Sequence, residues 1–212
     1  MKGWALVSPL LLLIATASGA QVVDSGGSPY LPPPGYGTLS QGDLSLRLRN
    51  DDLEVRFVPL DQRVTRLLGK DAWESLSGLT KARQAAIDSL ANEAGVTHPG
   101  LALVTFFGQR VDAKFDPQTL NLVIRNRIIR PLGIVPISPQ FSSQQLGIRE
   151  QVSGIYLFEE EFPVNDSFAI SYGGINSEDW LAKQRTLERE RARVALRVRG
   201  DTRDPSPADS AK

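Results

Sequence analysis

The stretch LSLRLRNDDLEVRF, residues 44–57, contains two alternating segments on either side of a turn. In the first half leucine alternates with serine or arginine, and in the second half apolar residues alternate with Glu54 and Arg56. An alternation of period two is typical of a strand with one buried face, and the Asn-Asp-Asp of residues 50–52 supplies a turn. The pattern predicts a β-hairpin whose outward face carries arginines opposite acidic partners.

Short segments of the same kind recur after residue 100. Apolar or alternating runs separated by glycine, proline or polar turns cover residues 101–107, 111–115, 120–124, 151–158 and 168–172. About seven or eight strands at roughly ten-residue spacing are typical of a sandwich or barrel. We therefore expect a mainly β (α+β) fold, an antiparallel β-sandwich, over residues 43–176.

Two segments depart from the strand pattern. Residues 61–94 carry apolar side chains at three- and four-residue steps, which predicts a helical insertion, either one helix or a pair broken near Gly78. Residues 177–199 predict a C-terminal amphipathic helix, in which Trp180, Leu187 and Val194 lie seven residues apart. Because most other residues of that helix are charged, this narrow stripe is the candidate partner-binding surface.

The sequence patterns at the two ends of the chain predict a cleaved or disordered segment rather than folded structure. Residues 1–20 combine an early lysine, an apolar run and the small residues Ser18-Gly19-Ala20, which is the pattern of a signal peptide. A retained membrane anchor is the alternative, but a spanning helix needs about 20 apolar residues. Residues 21–42 predict a disordered Pro/Gly-rich linker, and residues 200–212 a disordered tail. We expect an exported protein, periplasmic or extracellular.

The composition excludes several classes of site. The 212 residues include no cysteine and one histidine, so disulfide frameworks, thiolate zinc sites and multi-histidine metal sites within one chain are excluded. The 24 basic and 24 acidic side chains cancel, whereas a nucleic-acid protein needs a basic surplus for its phosphate contacts. We therefore expect no metal, no cofactor and no nucleic-acid partner.

The chain also lacks a recognisable catalytic pattern. His98 lies where a helix gives way to a strand, and no Gly-x-Ser-x-Gly elbow supplies a nucleophile. The densest acidic cluster is residues 159–161, of which Glu159 and Glu161 could share one face of a strand, as glycoside hydrolysis requires of two carboxylates. Such runs are usually solvated strand ends. We expect no catalytic residue, with a carboxylate-dependent hydrolase of glycan or ester as the alternative.

One family resemblance follows from the strand pattern. LNLVIRN at residues 120–126, Pro139, GIYLF at 154–158 and FAISY at 168–172 give a strand ending near asparagine, a polar loop, an apolar strand ending in phenylalanine and a closing strand. This order, over about residues 101–172, resembles small immunoglobulin-like secreted bacterial domains. The resemblance implies an immunoglobulin-like sandwich that binds or scaffolds, and it transfers no site residue. The helical insertion departs from a minimal sandwich.

These observations predict an exported, non-catalytic binding or structural protein of the bacterial periplasm or cell envelope, which contacts another envelope protein. The contact would use the stripe of Trp180, Leu187 and Val194, or a sheet edge near the proline-rich segment 131–139. Residues 178–199 hold seven basic and four acidic side chains, so a peripheral membrane protein that binds anionic lipid through this helix is a further alternative.

Overall fold

The computed structural model describes residues 31–201 of the chain. Within that range eleven strands form three antiparallel sheets, accompanied by five α-helices. The structure confirms a mainly β, sandwich-like α+β architecture with a C-terminal helix. The predicted signal peptide, the first part of the predicted linker and nearly all of the predicted tail lie outside the described residues.

The elements follow one another in two groups of strands around a helical segment. The helices are α1 (Gln41–Leu44), α2 (Gln62–Thr65), α3 (Lys70–Ala82), α4 (Gln84–Glu93) and α5 (Trp180–Asp201). The strands are β1 (Leu46–Arg49), β2 (Leu53–Pro59), β3 (Gly100–Gly108), β4 (Ala113–Lys114), β5 (Asn121–Ile124), β6 (Arg127–Ile129), β7 (Gly133–Pro136), β8 (Gln145–Leu146), β9 (Gln151–Phe158), β10 (Ala169–Tyr172) and β11 (Ile175–Ser177). Short 3₁₀ turns occupy Pro117–Thr119 and Pro139–Ser143.

The strands pair into one five-stranded sheet, one four-stranded sheet and a small ribbon. The five-stranded sheet has the order β1-β2-β3-β9-β7, the four-stranded sheet β11-β10-β5-β6, and the ribbon joins β4 to β8. The predicted hairpin is confirmed as β1 and β2, with Leu46 opposite Phe57 and Leu48 opposite Val55. Because side chains alternate across a strand, these four apolar residues all face the interior.

Aromatic side chains fill the space between the two larger sheets. Phe106 of β3 and Tyr172 of β10 meet with ring centroids 5.5 Å apart. Phe57 of β2 packs edge-on against Phe162, with centroids 5.6 Å apart. The Tyr156 hydroxyl donates to the Pro117 carbonyl at 3.0 Å, and burial raises the pKa of this phenol. A buried aromatic residue that retains a hydrogen bond can serve as core without leaving an unsatisfied polar group.

The helical insertion contains the short helix α2 followed by the pair α3 and α4, and the break within the pair lies at Arg83 and not near Gly78. Arg83 has φ −109° and ψ 5°, outside the helical region, whereas Gly78 continues α3. A glycine permits a helix even though it weakens one, so its presence does not force a break. The change of direction lets Ile87 and Ala91 of α4 pack on the five-stranded sheet. In the described part of the chain, no helix combines the length and apolarity needed to cross a bilayer.

The folded part begins before the predicted start at residue 43. The Leu39 amide donates to the Leu67 carbonyl at 3.1 Å, and the Gly69 amide donates to the Leu39 carbonyl at 2.8 Å. Leu44, at the end of α1, is fully buried. The second half of the predicted linker is therefore part of the domain, because its apolar side chains and backbone groups find partners there.

The last strand, β11, was not expected from the periodicity. Gly173 and Gly174, at φ 56° and 84°, form the two-residue turn that joins β10 to β11. A Gly-Gly pair with two positive φ angles is a tight hairpin signal, and it was available in the sequence. Because Ser177 ends β11, the C-terminal helix begins at Trp180 rather than at residue 177.

Candidate functional site

The apolar stripe of α5 faces the inside of the molecule. Trp180, Leu187 and Val194 are each 0% exposed and belong to the main core. The Trp180 ring lies 4.8 Å from that of Phe168, and its Nε1 donates to the Val164 carbonyl at 3.3 Å. This corrects the interpretation of the stripe as a partner-binding surface. Residues at heptad spacing mark a buried helix face, and here the rest of the domain covers it.

The sheet edge near residues 131–139 is present and is protected against pairing. β7 forms the edge of the five-stranded sheet, where Gly133 to Pro136 pair with β9. Pro131, Pro136 and Pro139 lack a backbone N–H and therefore cannot donate to an added strand. A four-residue edge with a proline at its end gives an incoming strand little backbone to pair with.

The acidic cluster at residues 159–161 is divided between two arginines. Glu159 and Glu160 form ion pairs with Arg127, at 3.3 and 2.7 Å, whereas Glu161 lies 3.4 Å from Arg63. The three carboxylates are therefore divided between two arginines instead of converging on a cleft. Among the described residues, no group of three or more histidine, aspartate or glutamate side chains is placed to hold a metal ion. His98 is exposed.

A different group of charged residues lies on the outer face of the five-stranded sheet. The register places Arg47, Arg56, Thr105 and Ser153 in one row across β1, β2, β3 and β9, and Arg49, Glu54, Phe107 and Gln151 in the next row. We call this surface of eight residues the arginine face. All eight are partly or largely exposed. Successive residues of a strand point to opposite faces of the sheet. The arginine face is therefore the side of the sheet away from the buried leucines of the same strands.

Within the arginine face, two arginines stand directly opposite each other. Arg47 of β1 pairs in register with Arg56 of β2, whereas Arg49 is opposite Glu54. The sequence-based expectation of acidic partners therefore holds for Arg49 and is wrong for Arg47. Side chains opposite each other on one sheet face have Cβ atoms about 4.5–5.5 Å apart, and like charges at that distance destabilise the sheet.

Arg56 is held in position by its neighbours. Its Nη2 donates to Glu54 Oε1 at 2.9 Å, and its guanidinium carbon lies 4.4 Å from the centroid of the Phe107 ring. The buried Nε–H has no acceptor within residues 31–201. The guanidinium is thus held against an aromatic ring and paired with a carboxylate.

A cleft of about 380 Å³ adjoins this face between α1 and α5, and Arg47 lines both. The cleft also contains Asp43, Asp179 and Lys183, so its two acids and two bases balance. Burial lowers the pKa of Lys183, against the opposing effect of the nearby Asp43. Hydrogen bonds from Ser40 lower the pKa of Asp43. Arg47 is therefore shared between the two surfaces, and the charges that line the cleft cancel only when Arg47 is counted among them.

One buried carboxylate joins the N-terminal segment to α5. Glu190 is 1% exposed, and its Oε1 accepts from the Thr38 amide and hydroxyl, both at 2.9 Å, and from Arg197 Nη1 at 2.8 Å. Burial raises the pKa of Glu190, but the hydrogen bonds from Arg197 and Thr38 outweigh it and leave the pKa below its ordinary value. Arg197 also donates to the Tyr36 carbonyl. We call these four residues the terminal clasp. Its role is structural, since all the hydrogen bonds of Oε1 tie α5 to the N-terminal segment or to Arg197, whereas Oε2 lies 3.8 Å from Arg193 Nη1 and accepts no hydrogen bond from the described residues.

Sequence reasoning identified outward arginines on the hairpin but not the site that they form. The missing information was the register of β1 on β2 and the position of Phe107, which comes from a strand about fifty residues further along the chain. Comparisons of the chain with protein families, with curated proteins and with solved structures found no match.

Proposed function

We propose that this protein is a non-catalytic binding module that recognises an acidic segment of a partner protein through the arginine face. The observation that carries the proposal is the in-register pair Arg47 and Arg56. Like charges at directly opposed positions of a sheet face, such as these two arginines, cost stability in the free protein. A carboxylate placed between them would turn that repulsion into two charge-assisted hydrogen-bond sites.

Arginine is suited to this task in a way that lysine is not. Its planar fork presents paired donors that match a carboxylate, and it loses less freedom on binding because it is preorganised. Arg56 is already immobilised by Glu54 and Phe107, so a partner need not order it.

The composition of the face favours a protein partner. Arginine and aromatic residues are enriched at the centres of protein–protein interfaces, where they supply most of the binding energy. Thr105, Ser153 and Gln151 add neutral hydrogen-bonding groups on the neighbouring strands. Four strands at about 4.8 Å spacing give a face only ~15 Å wide, so we expect a transient, salt-sensitive contact and not a permanent one.

The setting of this interaction is a proposal from the sequence. The signal-peptide pattern of residues 1–20 supports export to the periplasm or the outside of a bacterial cell, and the partner would then be an envelope protein. A relation to small immunoglobulin-like secreted domains is likewise proposed. It is supported by the strand order over residues 101–172 and by two antiparallel sheets packed around one core.

A second candidate function uses the exposed side of α5. Leu181 and Leu196 are 64% and 65% exposed, and Arg185, Arg189 and Arg193 lie on the same solvent-facing side. Apolar and basic side chains together on one helix surface are a feature of proteins that bind anionic membranes. This surface differs from the arginine face, so the two functions can be separated by mutation. The divided ion pairs of residues 159–161 give no support to the hydrolase alternative.

The decisive experiment measures binding of a fluorescent oligoglutamate peptide by anisotropy at low ionic strength. We expect the purified protein to bind and the double variant Arg47→Gln/Arg49→Gln to lose about tenfold or more in affinity. The matched control is Arg185→Gln/Arg189→Gln, which removes the same charge from α5. That control should bind the peptide as the unmodified protein does.

Three results would overturn the proposal. Equal losses in the two double variants would show attraction by overall charge alone. Loss only in the α5 variant, accompanied by loss of binding to anionic vesicles, would favour the membrane function. Binding of duplex DNA as tightly as the peptide would replace the protein partner with a nucleic acid.

A further inference from the structure

A second concave site lies on the helical insertion, away from the arginine face. α2 and α3 enclose a cleft of about 280 Å³. Its apolar wall is formed by Leu60, Trp73 and Leu76, of which Leu76 is 3% exposed and belongs to the core. Small-molecule sites are typically concave and mainly apolar with a few polar groups, and this cleft is at the small end of their range.

The charged groups in this cleft are all of one sign. Arg66 of the α2 C-terminus and Lys81 of α3 line it, and the other lining side chains are uncharged. Arg66 is fixed in place, since its Nη2 donates to Gln62 Oε1 at 2.6 Å and its Nη1 to the Pro32 carbonyl at 3.4 Å. Its Nε is buried and has no acceptor in the described part of the chain.

The acceptors that hold Arg66 are neutral. An amide oxygen and a backbone carbonyl satisfy part of the guanidinium but do not cancel its charge. The cleft therefore combines an aromatic and aliphatic wall with two positive charges that form no ion pair with an acid of residues 31–201. A cleft with two cations beside an apolar wall favours a ligand that carries a negative charge on an apolar body.

We propose that the α2–α3 cleft binds a small amphiphilic carboxylate. The apolar part of the ligand lies against Trp73, Leu60 and Leu76, and its carboxylate accepts hydrogen bonds from Arg66 and Lys81. This site is independent of the arginine face, which lies on the open part of the sheet and lacks an enclosed apolar wall. The two sites can therefore be tested and rejected separately.

The probe is octanoate below its micellar concentration, titrated by calorimetry and by tryptophan fluorescence. Octanol carries the same chain without the charge, and acetate carries the charge without the chain. We expect octanoate to bind at least about tenfold more tightly than either, because only octanoate satisfies both parts of the cleft. Binding should change the emission of Trp73.

Variants place the ligand in the cleft. Lys81→Gln should weaken octanoate about tenfold, whereas Lys70→Gln, at the other end of the same helix, should leave its affinity unchanged. Ser77→Phe fills the cleft from its partly exposed rim and should abolish binding while the thermal transition is retained. This second variant keeps the test decisive if Lys81→Gln impairs folding.

Several outcomes would reject the site. Octanol binding as tightly as octanoate would remove the role of Arg66 and Lys81. An equal loss with Lys70→Gln would indicate attraction by overall charge, and retained binding in Ser77→Phe would place the ligand elsewhere. Absence of binding at millimolar octanoate would reject the proposal outright.

Discussion

The outer face of the five-stranded sheet has two halves that differ in the polarity and burial of their side chains. Towards β7 the outward residues are apolar, and Ile155, Leu157 and Val135 are covered by Ile87 and Ala91 of α4. Towards β1 the outward residues form the arginine face, and all eight of them are partly or largely exposed. The same strands β3 and β9 cross both halves, so the change occurs within single strands. A sheet face can therefore serve as core at one end and as a recognition surface at the other.

The two halves contribute differently to the free energy of unfolding. In the covered half each side chain contributes by leaving water, at roughly 25 cal/mol per Å² of apolar area buried. In the open half Arg47 and Arg56 repel each other across the pair. A surface that tolerates a destabilising pair is a candidate for function, because stability alone would have placed an acid there.

The largest expected effect on the free energy of unfolding comes from a substitution in the covered half of the sheet. Ile155→Ala should lower the free energy of unfolding by about 2–5 kcal/mol, because it opens a cavity beneath α4 at a fully buried position. Ser153→Ala, two residues earlier on the same strand in the open half, removes one hydrogen bond to Thr105 and should cost about 1 kcal/mol. Urea denaturation measures both. Equal costs would show that the two halves are packed alike.

A smaller effect on the free energy of unfolding is expected from a buried carboxylate, which we compare with an exposed one on the same helix. Glu190→Gln should cost about 1–3 kcal/mol, since it weakens the hydrogen bonds that Arg197 and Thr38 donate to a buried carboxylate. Glu188→Gln, exposed on the same helix, is the matched control and should cost little.

The same pair of variants predicts a pH dependence. Because the pKa of Glu190 is lowered in the folded protein, its carboxylate stabilises the fold above the ordinary glutamate pKa. That contribution is lost as pH falls through the folded value. The stability difference between the unmodified protein and Glu190→Gln should therefore be full at neutral pH and shrink in acid. A difference that grew as pH fell would contradict the assigned direction.

The smallest expected effects on the free energy of unfolding come from two substitutions in the open half of the sheet, and their signs are opposite. Arg47→Glu places an acid opposite Arg56 and should raise the free energy of unfolding by about 0.2–1 kcal/mol. Arg49→Glu places an acid opposite Glu54 and should lower it by a similar amount. Both effects should fade in high salt. The proposed function adds that Arg47→Glu, although more stable, binds oligoglutamate less tightly.

Local patterns explain which parts of this fold were predictable. The alternation in residues 44–57 predicted the hairpin, and three- to four-residue steps predicted the helical insertion, because both patterns arise from side-chain geometry within one element. The prolines of residues 131–139 indicated an edge strand or a loop between sheets, and the structure has the edge strand β7 there. The Gly173-Gly174 hairpin was also readable but was interpreted as an end to the last strand.

Contacts between residues that are far apart in the sequence could not be predicted from such local patterns. The apolar stripe of Trp180, Leu187 and Val194 has the same spacing whether its face meets another protein or its own domain, and only the tertiary structure shows the second. The arginine face depends on a register that a shift of one residue would invert. It also needs Phe107, which arrives through the pairing of β2 with β3. Neither relation has a local signature.

The terminal clasp brings two distant parts of the chain into contact. Arg197 donates to the Tyr36 carbonyl, and the Tyr36 hydroxyl hydrogen-bonds to Asp201, which raises the pKa of that phenol. Residues 36 and 201 are thus neighbours in space, so a short peptide could join them without moving the fold. New termini could then be opened in the exposed loop at residues 109–112. The domain should accept such circular permutation, with the arginine face carried on a rearranged chain.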